Sequence, residues 1–155
     1  MNPENRRKLA HRVAMAAHAA LKARGYVTSI DILLGVGWLD ADAHARWRKG
    51  EIAHLERVVH ANLRRISTAM QLFRQWAREQ GLTQSETRYR HRGHTLRFSK
   101  SGDLSVERLY RTHWVAAAAK ARREPRVDAH GEGAIAPLQA AAAAARAPGG
   151  ATTTS

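Results

Sequence analysis

The sequence predicts a mainly α protein with a small β-hairpin: an α+β domain built around one long helix and followed by a low-complexity tail. Three observations predict it. Ile52, Leu55, Val59, Leu63, Ile66, Met70, Phe73 and Ala77 recur at steps of three and four through residues 51–80, the spacing of one helix face. Residues 87–99 alternate around Arg92-Gly93, as paired strands do. From Ala116 onward alanine, proline, glycine and threonine replace large apolar residues, a composition too poor in apolar surface to pack a core. A basic helical domain is thus expected over 1–115, and a disordered Ala/Pro/Gly tail over 116–155. An unbroken helix over 51–80 would be roughly 45 Å long, and its neighbours are expected to fold back onto the stripe.

The remaining elements follow in order. Asn2 is a good N-cap, and Pro3 suits the first helical position because its missing N–H would be unpaired there anyway. Leu9, Val13, Ala16, Ala17, Ala20 and Leu21 form the apolar face of this first helix, and Gly25 stops it. Thr28 or Ser29 caps a short helix to Leu34, which Gly35 and Gly37 break. Trp38 and Leu39 read as anchors. Asp40 caps a second short helix over 41–49, and Gly50 ends it. Beyond the long helix, Thr83, Gln84 and Ser85 read as a polar connector.

Strands are expected over 87–91 and 94–99. In that register His91 faces His94, Tyr89 faces Leu96 and Thr87 faces Phe98, on the side that packs inward. Arg90 faces Thr95 and Arg88 faces Arg97 on the other. Like charges placed opposite one another destabilise a hairpin, so a negative partner on that side would relieve the conflict. Asp103 caps a last helix with Val106, Leu109, Tyr110 and Trp114 at helical spacing. A third strand over the same residues is the alternative.

Charge is the property that bears on function. The 155 residues hold 26 Lys and Arg against 13 acidic residues, a net +13. Five basic and three acidic residues fall in the tail, so the domain keeps +11. An excess of this size points to a polyanionic partner. There is no cysteine, which excludes disulfides, thiolate zinc sites and thiol nucleophiles. No apolar run approaches the ~20 residues of a membrane span. The N-terminal alanines are interrupted by His11, Arg12 and His18, unlike a secretory leader. A cytoplasmic location is expected, with no membrane partner.

No catalytic signature emerges. There is no Gly-x-Ser-x-Gly, Walker loop or Gly-x-Gly-x-x-Gly. Nine histidines invite a metal, but no His-Glu-x-x-His string occurs and carboxylates do not cluster beside them. No cofactor, metal or catalytic residue is assigned. Trp38, Trp47, Trp76 and Trp114 sit beside apolar stripes and are expected in the core.

The segments 29–34 and 40–49, joined by Gly35-Val36-Gly37, resemble a helix-turn-helix. The string Arg46-Trp47-Arg48-Lys49-Gly50-Glu51-Ile52 resembles the end of a recognition helix in excisionase-like proteins, which carry a Trp, basic residues, then Gly and an aliphatic residue. The interval from Gly35 to Trp47 is longer than in that family, and the chain is not assigned to it. Helices followed by a basic hairpin resemble the layout of a winged helix. Phosphate contacts need only well-placed Lys and Arg. The candidates are Arg46, Arg48 and Lys49 on the short helix, with Arg88, Arg90, Arg92, Arg97 and Lys100 on and beside the hairpin. The expected function is therefore non-catalytic nucleic-acid binding, with DNA favoured over RNA. The alternative is a protein-interaction module that dimerises through the long amphipathic helix.

Overall fold

Helix α1 (Pro3–Arg24) begins where the Asn2 side chain accepts from the Asn5 N–H at 2.8 Å, and it ends at Gly25. The structure, a computed structural model, describes residues 1–117. Strand β1 (Tyr26–Val27) leads to α2 (Ser29–Gly35), whose cap is reciprocal: Thr28 Oγ1 accepts from Asp31 N–H, and Asp31 accepts from Thr28 N–H. Asp40 caps α3 (Ala41–Arg48) through the Ala43 N–H. At its end Gly50 takes a φ of +78°, and the Glu51 N–H reaches back to the Arg46 carbonyl at 3.0 Å. That reversal needs a left-handed residue, which glycine supplies without Cβ strain.

The single long helix expected over 51–80 is not formed. Residues 51–62 are irregular apart from a 3₁₀ turn at Leu55–Val58, and α4 spans Leu63–Glu79 behind an Asn62 cap. The reason is tertiary. Leu55 and Glu56 donate their N–H groups to the carbonyls of Arg97 and Phe98, at 3.1 and 2.9 Å, and His60 donates to Trp38. A 45 Å rod would also exceed what a chain of this size can cover, since a 100-residue domain has a radius of gyration of only ~13 Å. The stripe nevertheless reported burial correctly. Ile52, Leu55, Val59, Ile66, Met70, Phe73 and Ala77 are all buried, while Leu63 is exposed.

After α4 come β2 (Thr83–Glu86), β3 (Arg90–His91), β4 (His94–Thr95), α5 (Leu104–Arg111) and β5 (Thr112–Val115). Thr83, Gln84 and Ser85, expected as a connector, form a strand. The sheet order is β1-β5-β2, antiparallel, with Gln84 opposite Trp114 and Val27 on the other side of Trp114. Trp114 thus belongs to a strand and not to the last helix. The helix itself forms over 104–111, capped by Asp103.

The hairpin has the expected register, Arg90 with Thr95 and His91 with His94, but is shorter. Pairing continues only to Leu96, whose N–H donates to the Tyr89 carbonyl at 2.7 Å. Thr87 does not pair with Phe98; its N–H goes to the Arg111 carbonyl. The expected Arg88–Arg97 pair is absent from the strand pairing as well. The Arg97 carbonyl accepts from Trp47 Nε1 and Leu55 N–H, which takes that residue away from the hairpin.

Segment 97–99 is held by side chains from three directions. The buried Glu107 carboxylate accepts from Phe98 N–H at 3.0 Å, from Ser99 N–H at 2.7 Å and from the Ser99 hydroxyl. Phe98 then stacks on Tyr110 at 5.1 Å and tilts against Trp47 at 4.9 Å and Tyr89 at 5.4 Å. Across the core, α1 lies on α2 closely enough that a side chain at Gly35 would collide with the Ala16 methyl. Trp38, Trp47 and Trp114 are buried and Trp76 is half-buried. Among the described residues no helix is long and apolar enough to cross a membrane. The tail expected over 116–155 lies outside the described residues beyond Ala117.

Two substitutions test this packing. Glu107→Ala strands three donors in the core and should cost about 3–5 kcal/mol in urea unfolding, with Glu107→Gln losing less because one carbonyl acceptor remains. Gly35→Ala should cost about 1–3 kcal/mol by overpacking, seen as a lower denaturation midpoint at unchanged slope.

Candidate nucleic-acid interface

The candidate cations come from two elements that the fold sets side by side. The last turn of α3 carries Arg46, Arg48 and, at its cap, Lys49. Cations there complement the negative end of the helix dipole, which is a sufficient local reason for them. The hairpin meets this end of α3 through its inner face. Trp47 packs on Tyr89 with ring centroids 5.7 Å apart. A methyl group added at Gly50 would lie 3.2 Å from the His91 ring. Arg46, Lys49, Arg88, Arg90 and Arg92 are exposed around this junction. Arg92 sits at the hairpin tip with a φ of +51°.

The candidates do not share one environment. Arg46 forms an exposed ion pair with Glu51 at 3.7 Å, of a kind that contributes little. Arg97 folds over the following turn, where its guanidinium donates to the carbonyls of Ser99 and Lys100. Lys100 has an exposed side chain, and its N–H is fixed by Glu56 at 2.9 Å. These two lie past the paired strands, where Glu56 and Glu107 hold the chain, and the Arg97 carbonyl meets α3 through Trp47. Arg88, Arg90 and Arg92 form no ion pair with a described residue.

Arg48 is different again. Its guanidinium lies over the Tyr89 ring, 5.1 Å from the centroid, a cation–π geometry. It is half-buried, and burial pushes its pKa down. No carboxylate of the described residues pairs with it. Beside it the His44 ring stacks on Trp47 at 6.3 Å. Burial, and then the Arg48 charge, lower the His44 pKa to about 4, with Asp31 opposing. Tyr89 is buried and its hydroxyl pairs with His113 Nε2 at 2.8 Å. Burial raises its pKa well above the ordinary phenol value, so it stays a neutral ring beneath the guanidinium.

The sequence reading named Arg48 but not its surroundings. Arg24, Tyr26, Thr28, Asp31, His44 and Tyr89 join it around a small pocket. The capping box explains Asp31 and Thr28 locally, so their second role had no separate signal. Nothing in the spacing brings Arg24 at the end of α1 to residues of α3. Among the described residues no group of three or more His, Asp and Glu could hold a metal ion.

No family model matches the chain, and no curated protein or solved structure shows a significant match.

His44 sets a pH window. Its ordinary value is 6.5 and its native value about 4. A depressed native value means the stability from keeping the ring neutral is full above 6.5 and is lost as pH falls through 4. About 3 kcal/mol should disappear across that interval. His44→Gln should flatten this part of the stability–pH curve, measured by urea unfolding at pH values on either side.

Proposed function

We propose that the protein is a small, non-catalytic nucleic-acid-binding protein, with DNA favoured over RNA, that grips the phosphate backbone. The observation that carries the reading is the junction of the basic end of α3 with the basic hairpin. Arg46, Arg48 and Lys49 end α3, Arg88, Arg90 and Arg92 lie along the hairpin, and Trp47–Tyr89 and Gly50–His91 contacts hold the two elements together. Phosphate contacts of this kind supply affinity without requiring a pocket or a base-specific side chain. On this reading α2 and α3 act in the manner of a helix-turn-helix, and the hairpin in the manner of a wing that follows the backbone. Arg97 and Lys100 contribute to the field and less to direct contact, because Arg97 is engaged with its own turn.

A protein-interaction module is the second reading, in which the long amphipathic helix joins a dimer or binds a partner and the basic face meets an acidic protein. The apolar stripe of α4 is instead buried within its own chain: Ile66, Ala69, Met70, Phe73 and Ala77 are each at most 7% exposed. The buried stripe of α4 is not available to a second chain, which leaves the basic face as the part of that reading a partner would meet.

Binding of labelled duplex DNA and single-stranded RNA across a salt series tests the proposal. The expected outcome is tight binding at low salt with a steep log–log slope. Replacing Arg88, Arg90 and Arg92 together by Ala should leave the fold intact, since all three are exposed. It should reduce the slope by up to about 3, near 0.9 per lost phosphate contact. An unchanged slope would remove the hairpin from the interface. Absence of binding to either nucleic acid at low salt would overturn the function.

A further inference from the structure

Below the cationic surface, a pocket of about 150 Å³ opens between the end of α1, β1, the cap of α2, and α3. Its walls carry more positive than negative charge. Arg24 and Arg48 both line it, against the single carboxylate of Asp31. Asp31 is already engaged, paired to Arg24 and accepting from Thr28 N–H. Burial lowers the pKa of Arg24, but the charge and hydrogen bond of Asp31, together with Tyr26 and Tyr89, more than restore it. Arg48 has a ring beneath it and no described carboxylate partner.

Two further nitrogens, on residues that line the pocket, lack a hydrogen-bond partner. Arg24 Nε and His44 Nε2 are buried with no hydrogen bond. Buried polar nitrogens without partners are uncommon in native proteins and call for an explanation; Arg24 Nε is a donor, and His44 Nε2 is one when the neutral ring carries its proton there. Arg24 Nε, His44 Nε2 and the unpaired Arg48 guanidinium all belong to residues lining one pocket. A surplus of guanidinium charge together with unmatched nitrogen selects an oxyanion ligand. The donors come from α1 on one side and α3 on the other, so the acceptor oxygens must diverge. The tetrahedral oxygens of a phosphate do so, whereas those of a carboxylate lie in one plane. The pocket has space for several waters, and so for a phosphate group.

We propose that this pocket binds the phosphate of a phosphomonoester, with the Arg48 guanidinium as its principal ligand. The site does not depend on the surface reading: it would stand if duplex DNA did not bind, and it would fall if phosphate did not enter. The phosphate could belong to a free small ester or to the 5′ end of a nucleic-acid strand, and these share one chemistry.

Titration of the full chain with inorganic phosphate at constant ionic strength, followed by NMR, is the test. The expected result is saturable shifts of the His44 ring and of the Tyr26, Thr28 and Asp31 amides, together with a phosphate-dependent rise in Tm. Arg48→Met keeps an apolar stem on Tyr89 and should weaken binding by about ten-fold or more; Arg48→Lys, which keeps the charge but loses the fork, should fall between. The Arg88, Arg90 and Arg92 triple alanine variant should still bind phosphate here, which separates the pocket from the surface. Shifts that do not saturate, or that persist unchanged in Arg48→Met, would overturn the site. The Tm response of the unmutated chain decides the matter should Arg48→Met unfold: no rise beyond that given by chloride overturns the proposal. Once phosphate binds, short strands with a 5′-phosphate or a 5′-hydroxyl identify the source. A preference of about ten-fold or more for the phosphorylated strand assigns the strand end, and equal affinity assigns a free ester.

Discussion

The Glu107 carboxylate decides how the second half of the chain is arranged. It is 4% exposed and accepts from two consecutive backbone N–H groups and a hydroxyl. A carboxylate can be buried only when such donors replace its hydration. Segment 97–99 is thereby pinned to α5. Its other backbone groups are taken as well: the Arg97 carbonyl by Trp47 and Leu55, and the Phe98 carbonyl by Glu56. Phe98 then sits with no exposure among Trp47, Tyr89 and Tyr110. Two departures from the simple helical reading follow. The hairpin ends early because its second strand is claimed by α5, and residues 55–56 cannot continue an α-helix from residue 51 because their N–H groups go to the Arg97 and Phe98 carbonyls.

The same aromatic cluster sets the position of charge. Trp47 joins α3 to the hairpin through Tyr89, and the face of Tyr89 carries Arg48. The Tyr89 hydroxyl is held by His113, which stacks on Tyr26 at 5.7 Å. The wall of the small pocket is therefore continuous with the core, and Arg48 is placed by packing and not by an ion pair. Charge on such a base loses little entropy when it meets a ligand, because the side chain is already ordered.

The basic residues divide into two populations. Some have a structural partner: Arg12 donates to the Val36 carbonyl, Arg24 pairs with Asp31, Arg97 donates to its own turn, and the buried Arg111 meets Glu86 at 3.0 Å. Others, chiefly Arg88, Arg90, Arg92 and Lys49, are exposed and form no ion pair with a described residue. A net charge counts both populations alike. Only the second is available to an external polyanion without dismantling a native contact.

What the sequence by itself determined was local. Asn2, Thr28, Asp40 and Asp103 cap the helices their chemistry suggested, because a cap depends on residues three apart. Arg92-Gly93 turns the hairpin in the expected register for the same reason. The apolar stripe of 51–80 marked the buried residues of both halves, since burial follows side-chain type whatever the backbone does. Only the tertiary structure decided that 51–62 is not helical, that 83–86 and 112–115 pair as strands, and that Arg24 meets α3. Each of these depends on hydrogen bonds or charges from residues far away in the chain: Arg97 and Phe98 for Leu55 and Glu56, and α1 for the pocket. A period in the sequence reports which side chains avoid water; it carries no information about which distant donor will take a backbone carbonyl.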